Sequence, residues 1–214
     1  MDNNYPFSFD YPNKHANYIT RKGTSLSMRP IRAKEKIVYV DVDEVCAQLH
    51  PVWLKHYNKD WDDNLKSEDV TDWAIEKFVK PECGVKIYDY IKNPSIYDEI
   101  IPNPGALEGV NRLRELKYRV LFPTSCGEGI SGRKFFWLKD WGFIQKIRDY
   151  IEISDKGLLL GDYMFDDYYD NAVSFTGYAY LLNKPHNLKQ RWYRRVNNWE
   201  EFIKKMEDNH KRGM

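Results

Sequence analysis

The sequence predicts an α/β fold in which a mostly parallel sheet is flanked by helices. Short apolar runs alternate with helical patterns from residue 102 onward, as in chains whose parallel strands are joined by helices. Several of these runs end directly on acidic or hydroxyl side chains. A chain of 214 residues is long enough for one core with an inserted subdomain but short for two independent domains. We therefore expect one core, with its polar groups at the carboxyl ends of the strands.

The composition excludes several classes of protein. Apolar residues make up 42% and aromatic residues 15% of the chain, which is too rich for a disordered protein. The net charge of +1 favours neither a nucleic-acid polymer nor a membrane as a partner. The three cysteines form no CxxC pair, so neither a zinc site nor a disulfide framework is indicated. Because the chain has no apolar signal core and no run of ~20 apolar residues, we expect a cytoplasmic protein.

The pattern along the chain divides it into three segments. Residues 1–36 show no clear period and are predicted to be an N-terminal extension, with a solvated tail preferred over a phosphate-binding arm. Residues 37–47 and 103–210 carry the alternation that is typical of the core. Residues 48–102 are richer in Trp, Tyr and Lys. We predict that this third segment is a helical cap inserted after the first strand.

Local patterns predict the elements in order. Ile37–Val40 is a β-branched and aromatic run between charged residues, which is typical of a buried strand. Pro104 and Gly105 open a helix that runs to about Leu116, with apolar residues at helical spacing. Further strands are predicted at 118–122, 150–153, 163–165 and 178–182. Further helices are predicted at 133–141 and 199–206, a short element at 157–160, and cap helices around 52–57 and 85–92.

The side chains able to carry out chemistry are expected to meet at one rim of the sheet. Acidic pairs, a Thr-Ser pair and two lysines come at predicted strand or helix ends: Asp41, Asp43, Asp166, Asp167, Thr124, Ser125, Lys134 and Lys156. Four carboxylates in one place repel one another unless a hard cation lies among them. Mg²⁺ prefers a few carboxylates together with phosphate and water. The acids therefore predict a Mg²⁺ site.

These residue types suit the transfer of a phosphoryl group. A carboxylate such as Asp41 can attack phosphorus to form an aspartyl-phosphate, which divides a difficult hydrolysis into two displacements. Asp43 can protonate the leaving alkoxide and later deprotonate the attacking water. Thr124, Ser125 and a lysine can stabilise the charge on the transferring group. Each piece alone also suits a turn, a helix cap or a surface lysine, and it is the ordered set that favours a site.

Six segments carry a resemblance to a known family. They are VYVDVDEV at 38–45, FPTSC at 122–126, GRKFFWLKDWGF at 132–143, DKGLLLGDYMFDD at 155–167, NKPHN at 183–187 and RVNNWEEF at 195–202. They resemble the haloacid dehalogenase (HAD) superfamily and, within it, the 5'(3')-deoxyribonucleotidases, including bacterial and phage members. The segment at 155–167 is the most specific, because its spaced acids and apolar run form a long pattern. The resemblance covers about 37–202.

The resemblance implies a Rossmann-like HAD core with a small helical cap. It implies a Mg²⁺-dependent phosphomonoesterase that hydrolyses deoxynucleoside monophosphates to nucleoside and phosphate through an aspartyl-phosphate. It also implies Asp41 as the nucleophile and Asp43 as the acid/base. The implied metal ligands are Asp41, the Asp43 carbonyl, Asp166 and Asp167, and the implied phosphate contacts are Thr124, Ser125, Lys134 and Lys156.

Two positions depart from the pattern of that family. Glu44 stands where these nucleotidases usually have Gly, and Pro123 precedes Thr124. Neither departure removes a required chemical group, so we expect them to change the fit of the substrate more than the catalysis. Asn171 is expected either to orient Asp167 or to cap the next helix, and the cap is preferred.

The base and sugar of a nucleotide are expected to be recognised by the cap. Leu49, Trp73 and Tyr97 are predicted to line this pocket, because aromatic faces stack on nucleobases. The alternative for all three is that they form the apolar core of the cap. The expected partner is thus a small nucleoside monophosphate, and the sequence leaves a homodimer open.

Two other functions remain as alternatives. The first is a HAD phosphatase that acts on a nucleic-acid 3'-phosphate end or a sugar phosphate, and the basic stretch at 191–195 would favour a polymer. The second is a non-catalytic nucleotide-binding protein. The presence of Asp41, Asp43, Lys134, Asp166 and Asp167 argues against this second alternative.

Overall fold

One parallel sheet organises the protein, and its computed structural model describes residues 35–127 and 129–213. The sheet has six strands in the order β3-β2-β1-β4-β5-β6, and all neighbours are parallel. The strands are β1 Ile37–Val40, β2 Arg119–Thr124, β3 Tyr150–Glu152, β4 Tyr163–Asp166, β5 Tyr178–Leu182 and β6 Arg195–Val196. The predicted α/β fold is confirmed, whereas the extension predicted at 1–36 lies outside the described residues up to residue 34.

Helices connect the strands, as parallel pairing requires. The α-helices are α1 Leu49–Trp61, α2 Ala106–Glu115, α3 Ser131–Asp140, α4 Tyr169–Ser174 and α5 Trp199–Lys211. Short 3₁₀ helices lie at Ser67–Asp69, Ile75–Lys77, Gly84–Lys92, Pro94–Asp98, Ile147–Asp149, Lys156–Leu158 and Pro185–Asn187. Helices α2 and α5 approach each other closely at Gly109, where a β-carbon would collide with the indole of Trp199.

The segment between β1 and α2 is built from one α-helix and four 3₁₀ helices. Helix α1 is longer than the helix predicted at 52–57, and the element predicted at 85–92 is the 3₁₀ helix Gly84–Lys92. The two are joined by the Trp53 indole, which donates to the carbonyl of Ile87 at 2.7 Å. Trp53 and Ile87 belong to the same buried apolar cluster as core residues such as Phe122. A division into cap and core at residues 48 and 103 stays a prediction.

One α-helix and one strand were not predicted from the sequence. Helix α4 has six residues, of which only Ala172 is buried, so its apolar periodicity is weak. Strand β6 has two residues, and it is held in place by the guanidinium of Arg195, which donates to Asn183 Oδ1 and to the carbonyl of Gln190, both at 2.6 Å. Arg195 is thus engaged within the protein rather than presented to a polymer. Within the described part of the chain, no helix is long and apolar enough to cross a membrane.

Candidate active site

The carboxyl ends of three adjacent strands place the predicted acids together. Asp41 follows β1, Asp166 ends β4 with Asp167 next to it, and Thr124 ends β2. The Asp41 amide donates to the carbonyl of Phe165 at 2.9 Å, which extends the pairing of β1 and β4 up to the acids. These residues border a cavity of about 350 Å³. Its other side is formed largely by the segment between β1 and α2, including Leu49, His50, Trp53, Trp73, Ile75 and Tyr88.

Three buried carboxylates and one buried ammonium form the centre of the site. Asp41, Asp166 and Asp167 each place one carboxylate oxygen within 4.8 Å of the others. The Lys156 ammonium donates to Asp41 Oδ1 and, at 2.8 Å, to Asp166 Oδ2. The side chains of Asp41 and Asp166 are 10% and 1% exposed, so water screens these charges little.

The carboxylates carry more negative charge than Lys156 can balance. Burial raises the pKa of Asp41 well above its ordinary value, Lys156 opposes this shift, and the neighbouring acids add to it. Burial also raises the pKa of Asp166, again opposed by Lys156. For Lys156, burial alone would lower the pKa, but Asp166 and Asp41 outweigh it and raise the pKa instead. A further positive charge near Asp41 would therefore favour its ionised, nucleophilic form.

The carboxylate of Asp167 fits a cation ligand. Burial opposes its ionisation, but the neighbouring His186 brings the pKa of Asp167 below its ordinary value. Its atom Oδ2 is buried and forms no hydrogen bond of good geometry among the described residues, although His186 Nε2 lies 3.1 Å away. The Asp167 carbonyl is held by Asn187 Nδ2 at 2.7 Å. An ionised buried oxygen beside two other carboxylates suits a hard cation.

Asp166 is held by more hydrogen bonds than Asp167. Its Oδ1 accepts from the Tyr168 amide at 2.8 Å, and its Oδ2 accepts from Asn171 Nδ2 at 3.1 Å as well as from Lys156. The preference for Asn171 as a helix cap is wrong, since this residue lies within α4 and its amide contacts Asp166. A six-residue helix had too little apolar periodicity to place Asn171 inside it from the sequence.

Asp43 lies beside this centre and is bound at both oxygens. Lys134 Nζ donates to Asp43 Oδ2 at 2.6 Å, and the hydroxyl of Tyr97 donates to Asp43 Oδ1 at 2.5 Å. The same ammonium donates to Thr124 Oγ1 at 3.1 Å and to the Ser125 carbonyl at 2.6 Å. Burial would lower the pKa of Lys134, but Asp43 raises it, so the lysine stays charged. Lys134 thus links Asp43 to the end of β2.

Two of the three residues predicted for the base pocket line the cavity. Leu49 and Trp73 do so, and the Trp73 ring lies 4.1 Å from the ring of Tyr168 with an interplanar angle of 30°. Tyr97 is not among the lining residues, because its buried hydroxyl is directed at Asp43 instead. The prediction for Tyr97 is thus corrected. Tyr97 belongs to the buried apolar cluster instead, which was the alternative prediction for this residue.

Glu44 takes the backbone conformation that glycine adopts easily. Its φ is +57°, in the left-handed region that glycine adopts without a steric penalty. Its side chain is buried, with Oε1 accepting from the His50 amide at 2.7 Å and Oε2 accepting from Lys184 Nζ at 3.0 Å. The His50 amide belongs to the first turn of α1, whose preceding residue Gln48 provides no side-chain cap. Glu44 therefore supplies the negative charge at the start of α1.

Glu44→Gln is expected to lower the free energy of unfolding by about 1–3 kcal/mol, because the negative charge at a helix start and its ion pair with Lys184 are lost. Urea unfolding would measure the change. A matched control is Glu68→Gln, since the Glu68 side chain is 72% exposed and lies 3.9 Å from Lys66. Equal, small effects of the two substitutions would show that Glu44 has no such stabilising role.

His186 and Lys184 lie beside the acids and were not found from the sequence. His186 contacts Asp167, and Lys184 contacts Glu44. The segment NKPHN at 183–187 was recognised only as part of the family pattern. No local signal connects a histidine to an acid that lies 19 residues earlier in the chain.

Comparisons with known proteins agree with this geometry. Residues 35–207 match the family described as 5' nucleotidase, deoxy (pyrimidine), cytosolic type C protein. The chain is 29% identical over 162 residues to the 5'(3')-deoxyribonucleotidase of Clostridium acetobutylicum. The aligned region covers 76% of this chain and 89% of that relative. It is also 29% identical over 178 residues to the 5'(3')-deoxyribonucleotidase of Bacillus subtilis, covering 80% and 99% of the two chains.

One solved structure illustrates the fold. A HAD family hydrolase from Deinococcus radiodurans R1, crystallised with bound phosphate and sodium, superposes with a TM-score of 0.54 at 11% identity. The match covers 81% of this chain and 95% of the other. At this identity the likeness concerns the fold alone, and it confirms a HAD-like core around the parallel sheet.

Proposed function

The chain belongs to the family of deoxyribonucleotide-type 5' nucleotidases matched by residues 35–207, and from this premise we propose that it hydrolyses deoxynucleoside monophosphates with Mg²⁺. It is a phosphomonoesterase with a HAD-like fold. The products are a nucleoside and inorganic phosphate. The family is described as cytosolic, which supports a cytoplasmic location.

The observation that carries the proposal is the group of three buried carboxylates beside an apolar and aromatic cavity wall. Asp41, Asp166 and Asp167 lie within 4.8 Å of one another, and Trp73 and Leu49 border the same cavity. The first group suits a cation with a phosphate, and the second suits a base and sugar. A nucleoside monophosphate combines both chemical features in one small molecule.

The proposed ligands for Mg²⁺ are Asp41, the Asp43 carbonyl, Asp166 and Asp167. When bound there, Mg²⁺ would supply positive charge that neutralises phosphate oxygens and favours the ionised form of Asp41. Of Asp166 and Asp167, the buried Oδ2 of Asp167, which accepts no hydrogen bond of good geometry among the described residues, supports direct ligation by Asp167. Asp166 already accepts hydrogen bonds at both of its oxygens, from Tyr168 and from Lys156.

In the first proposed step, an oxygen of Asp41 attacks phosphorus and the bond from phosphorus to the nucleoside oxygen breaks. Asp43 transfers its proton to that oxygen, so the nucleoside leaves as a neutral alcohol. In the second step, Asp43 removes a proton from water, which attacks phosphorus and releases Asp41 and phosphate. Asp43 thus ends the cycle protonated, as it began.

The remaining polar groups are proposed to hold the phosphate. Thr124 and Ser125 border the cavity at the end of β2. Lys156 lies between Asp41 and Asp166, where its charge also reaches the transferring group. The Lys134 side chain is 4% exposed and forms an ion pair with Asp43. Lys134 is therefore proposed to stabilise the phosphate largely through its charge.

Phosphate release from a panel of deoxynucleoside and ribonucleoside monophosphates, with Mg²⁺ and with a chelator, tests the proposal. Turnover of deoxynucleoside monophosphates that stops on chelation is expected. If only a 3'-phosphorylated oligonucleotide or a sugar phosphate were hydrolysed, one of the alternative substrates would replace this proposal. Nucleotide binding without any turnover would favour a non-catalytic protein.

Trp73→Ala is expected to raise KM for deoxynucleoside monophosphates about tenfold and to change kcat little, because stacking on a base contributes ~1–3 kcal/mol to binding. Steady-state kinetics would measure both constants. Trp141→Ala is a suitable control, since Trp141 is 42% exposed and Trp73 is 52% exposed, but Trp141 does not border the cavity. An unchanged KM in Trp73→Ala would exclude this ring from base recognition.

A further inference from the structure

Tyr97 makes a contact that the proposed reaction does not yet use. It lies in the 3₁₀ helix Pro94–Asp98, on the segment between β1 and α2, and its side chain is buried. Its hydroxyl donates to Asp43 Oδ1 at 2.5 Å, across 54 residues of sequence. The ring is set edge-on to Trp137, with 6.5 Å between the ring centroids. Packing therefore fixes the ring, and the ring directs the hydroxyl.

The two oxygens of Asp43 are held by different parts of the protein. Oδ1 is bound by Tyr97, whereas Oδ2 is bound by Lys134 of helix α3, at 2.6 Å. The Asp43 side chain is 28% exposed, so it is accessible from the cavity that it borders. A carboxyl group held at both oxygens has lost its freedom to rotate about the bond to Cβ. Its free lone pairs are then directed by the protein rather than by solvent.

The Tyr97 hydroxyl is the donor in this contact and Asp43 Oδ1 is the acceptor. Tyr97 therefore sets the direction of the Asp43 carboxyl group.

We propose that Tyr97 is a positioning residue that aims Asp43 at the leaving-group oxygen, through the hydrogen bond from its hydroxyl to Asp43 Oδ1. The inference rests on the proposed function, in which Asp43 is the acid that protonates this oxygen. A misdirected acid transfers its proton less often, and small displacements of a reacting group are costly. The contact also makes the alignment of Asp43 depend on the position of the segment that carries Tyr97.

Tyr97→Phe keeps the ring and removes only the hydroxyl, so two substrates can separate alignment from general damage. An alkoxide needs a proton to leave, as in a deoxynucleoside monophosphate, whereas p-nitrophenolate leaves readily without one. For Tyr97→Phe we expect kcat/KM to fall about tenfold or more with the nucleotide, because the acid is no longer held toward the leaving oxygen. With p-nitrophenyl phosphate we expect kcat/KM to fall less than about threefold.

Tyr57→Phe is the matched control. Tyr57 is also a buried tyrosine of the same segment, and its hydroxyl donates to Asp63 and accepts from the Lys80 amide, away from Asp43. This control should leave the ratio of the two kcat/KM values unchanged. Because both substrates are measured on the same sample, a smaller folded fraction cancels from the ratio.

A second variant tests whether Tyr97 acts through Asp43. Asp43→Asn removes the acid, and adding Tyr97→Phe to it should then lower kcat/KM for the nucleotide by less than about threefold, since the two changes share one pathway. Equal losses with both substrates, no loss in the single variant, or a full additional loss in the double variant would each overturn the proposal. Absence of wild-type turnover on both substrates would overturn the proposed function and this inference with it.

Discussion

Replacing Asp41 by Asn is expected to lower the turnover of deoxynucleoside monophosphates by at least about 10⁴-fold, because an amide cannot form the aspartyl-phosphate. The fold should be retained. Asp41 and Asp166 share one ammonium, that of Lys156, so the substitution leaves one buried carboxylate paired with one buried ammonium. The free energy of unfolding should therefore change by less than about 2 kcal/mol.

Single-turnover phosphate release would measure the loss of turnover, and urea unfolding would measure the change in stability. Asp140→Asn serves as the control, because Asp140 is an exposed residue at the end of α3 and should have normal turnover. Turnover of Asp41→Asn near the wild-type rate would remove Asp41 from the role of nucleophile. A large loss of stability would instead show that its charge supports the fold.

Replacing Lys156 by Met is expected to lower the free energy of unfolding by about 3–5 kcal/mol in metal-free buffer, since two buried carboxylates lose the ammonium that contacts both. Asp41 and Asp166 would then lie in a buried site without the cation that now contacts both. Turnover should also fall steeply. Lys139→Met, at an exposed position on α3, should change stability by less than about 0.5 kcal/mol.

The decrease in the free energy of unfolding of Lys156→Met should depend on pH. The pKa values of Asp41 and Asp166 are already raised by burial, and removing Lys156 raises them further. A carboxyl group whose folded pKa exceeds its unfolded pKa binds its proton more tightly in the folded state, so stability is lost as the pH rises between these two values. The variant should therefore regain stability on acidification toward the unfolded pKa of about 4. Urea unfolding across this range in chelator would measure it.

Mg²⁺ gives an independent readout of the same variant. If the three carboxylates hold the ion, adding Mg²⁺ should stabilise Lys156→Met, because the ion binds the folded state and not the unfolded chain. Unfolding midpoints that do not respond to Mg²⁺ in either the wild type or this variant would contradict the metal site. Destabilisation that is the same at every pH would contradict the account of buried, unpaired carboxylates.

The sequence by itself determined the sheet and the position of its acids. The predicted strand boundaries of Ile37–Val40 and Tyr178–Leu182 are those of the structure, because β-branched and aromatic runs bounded by polar residues are local signals. The meeting of Asp41 with Asp166 and Asp167 followed from parallel strands whose carboxyl ends share one edge. Strand β6 and helix α4 were too short to produce a comparable signal.

Only the tertiary structure decided which partner each polar side chain has. Tyr97 was expected beside the base, yet its hydroxyl binds Asp43, and Glu44 was seen as a departure in a loop, yet it holds the start of α1 and Lys184. The physical reason is that periodicity and turn chemistry act over a few residues, whereas these contacts span up to 140 residues. Such contacts depend on the packing of whole elements against one another, and packing directs a hydroxyl or a carboxylate to within a few tenths of an ångström.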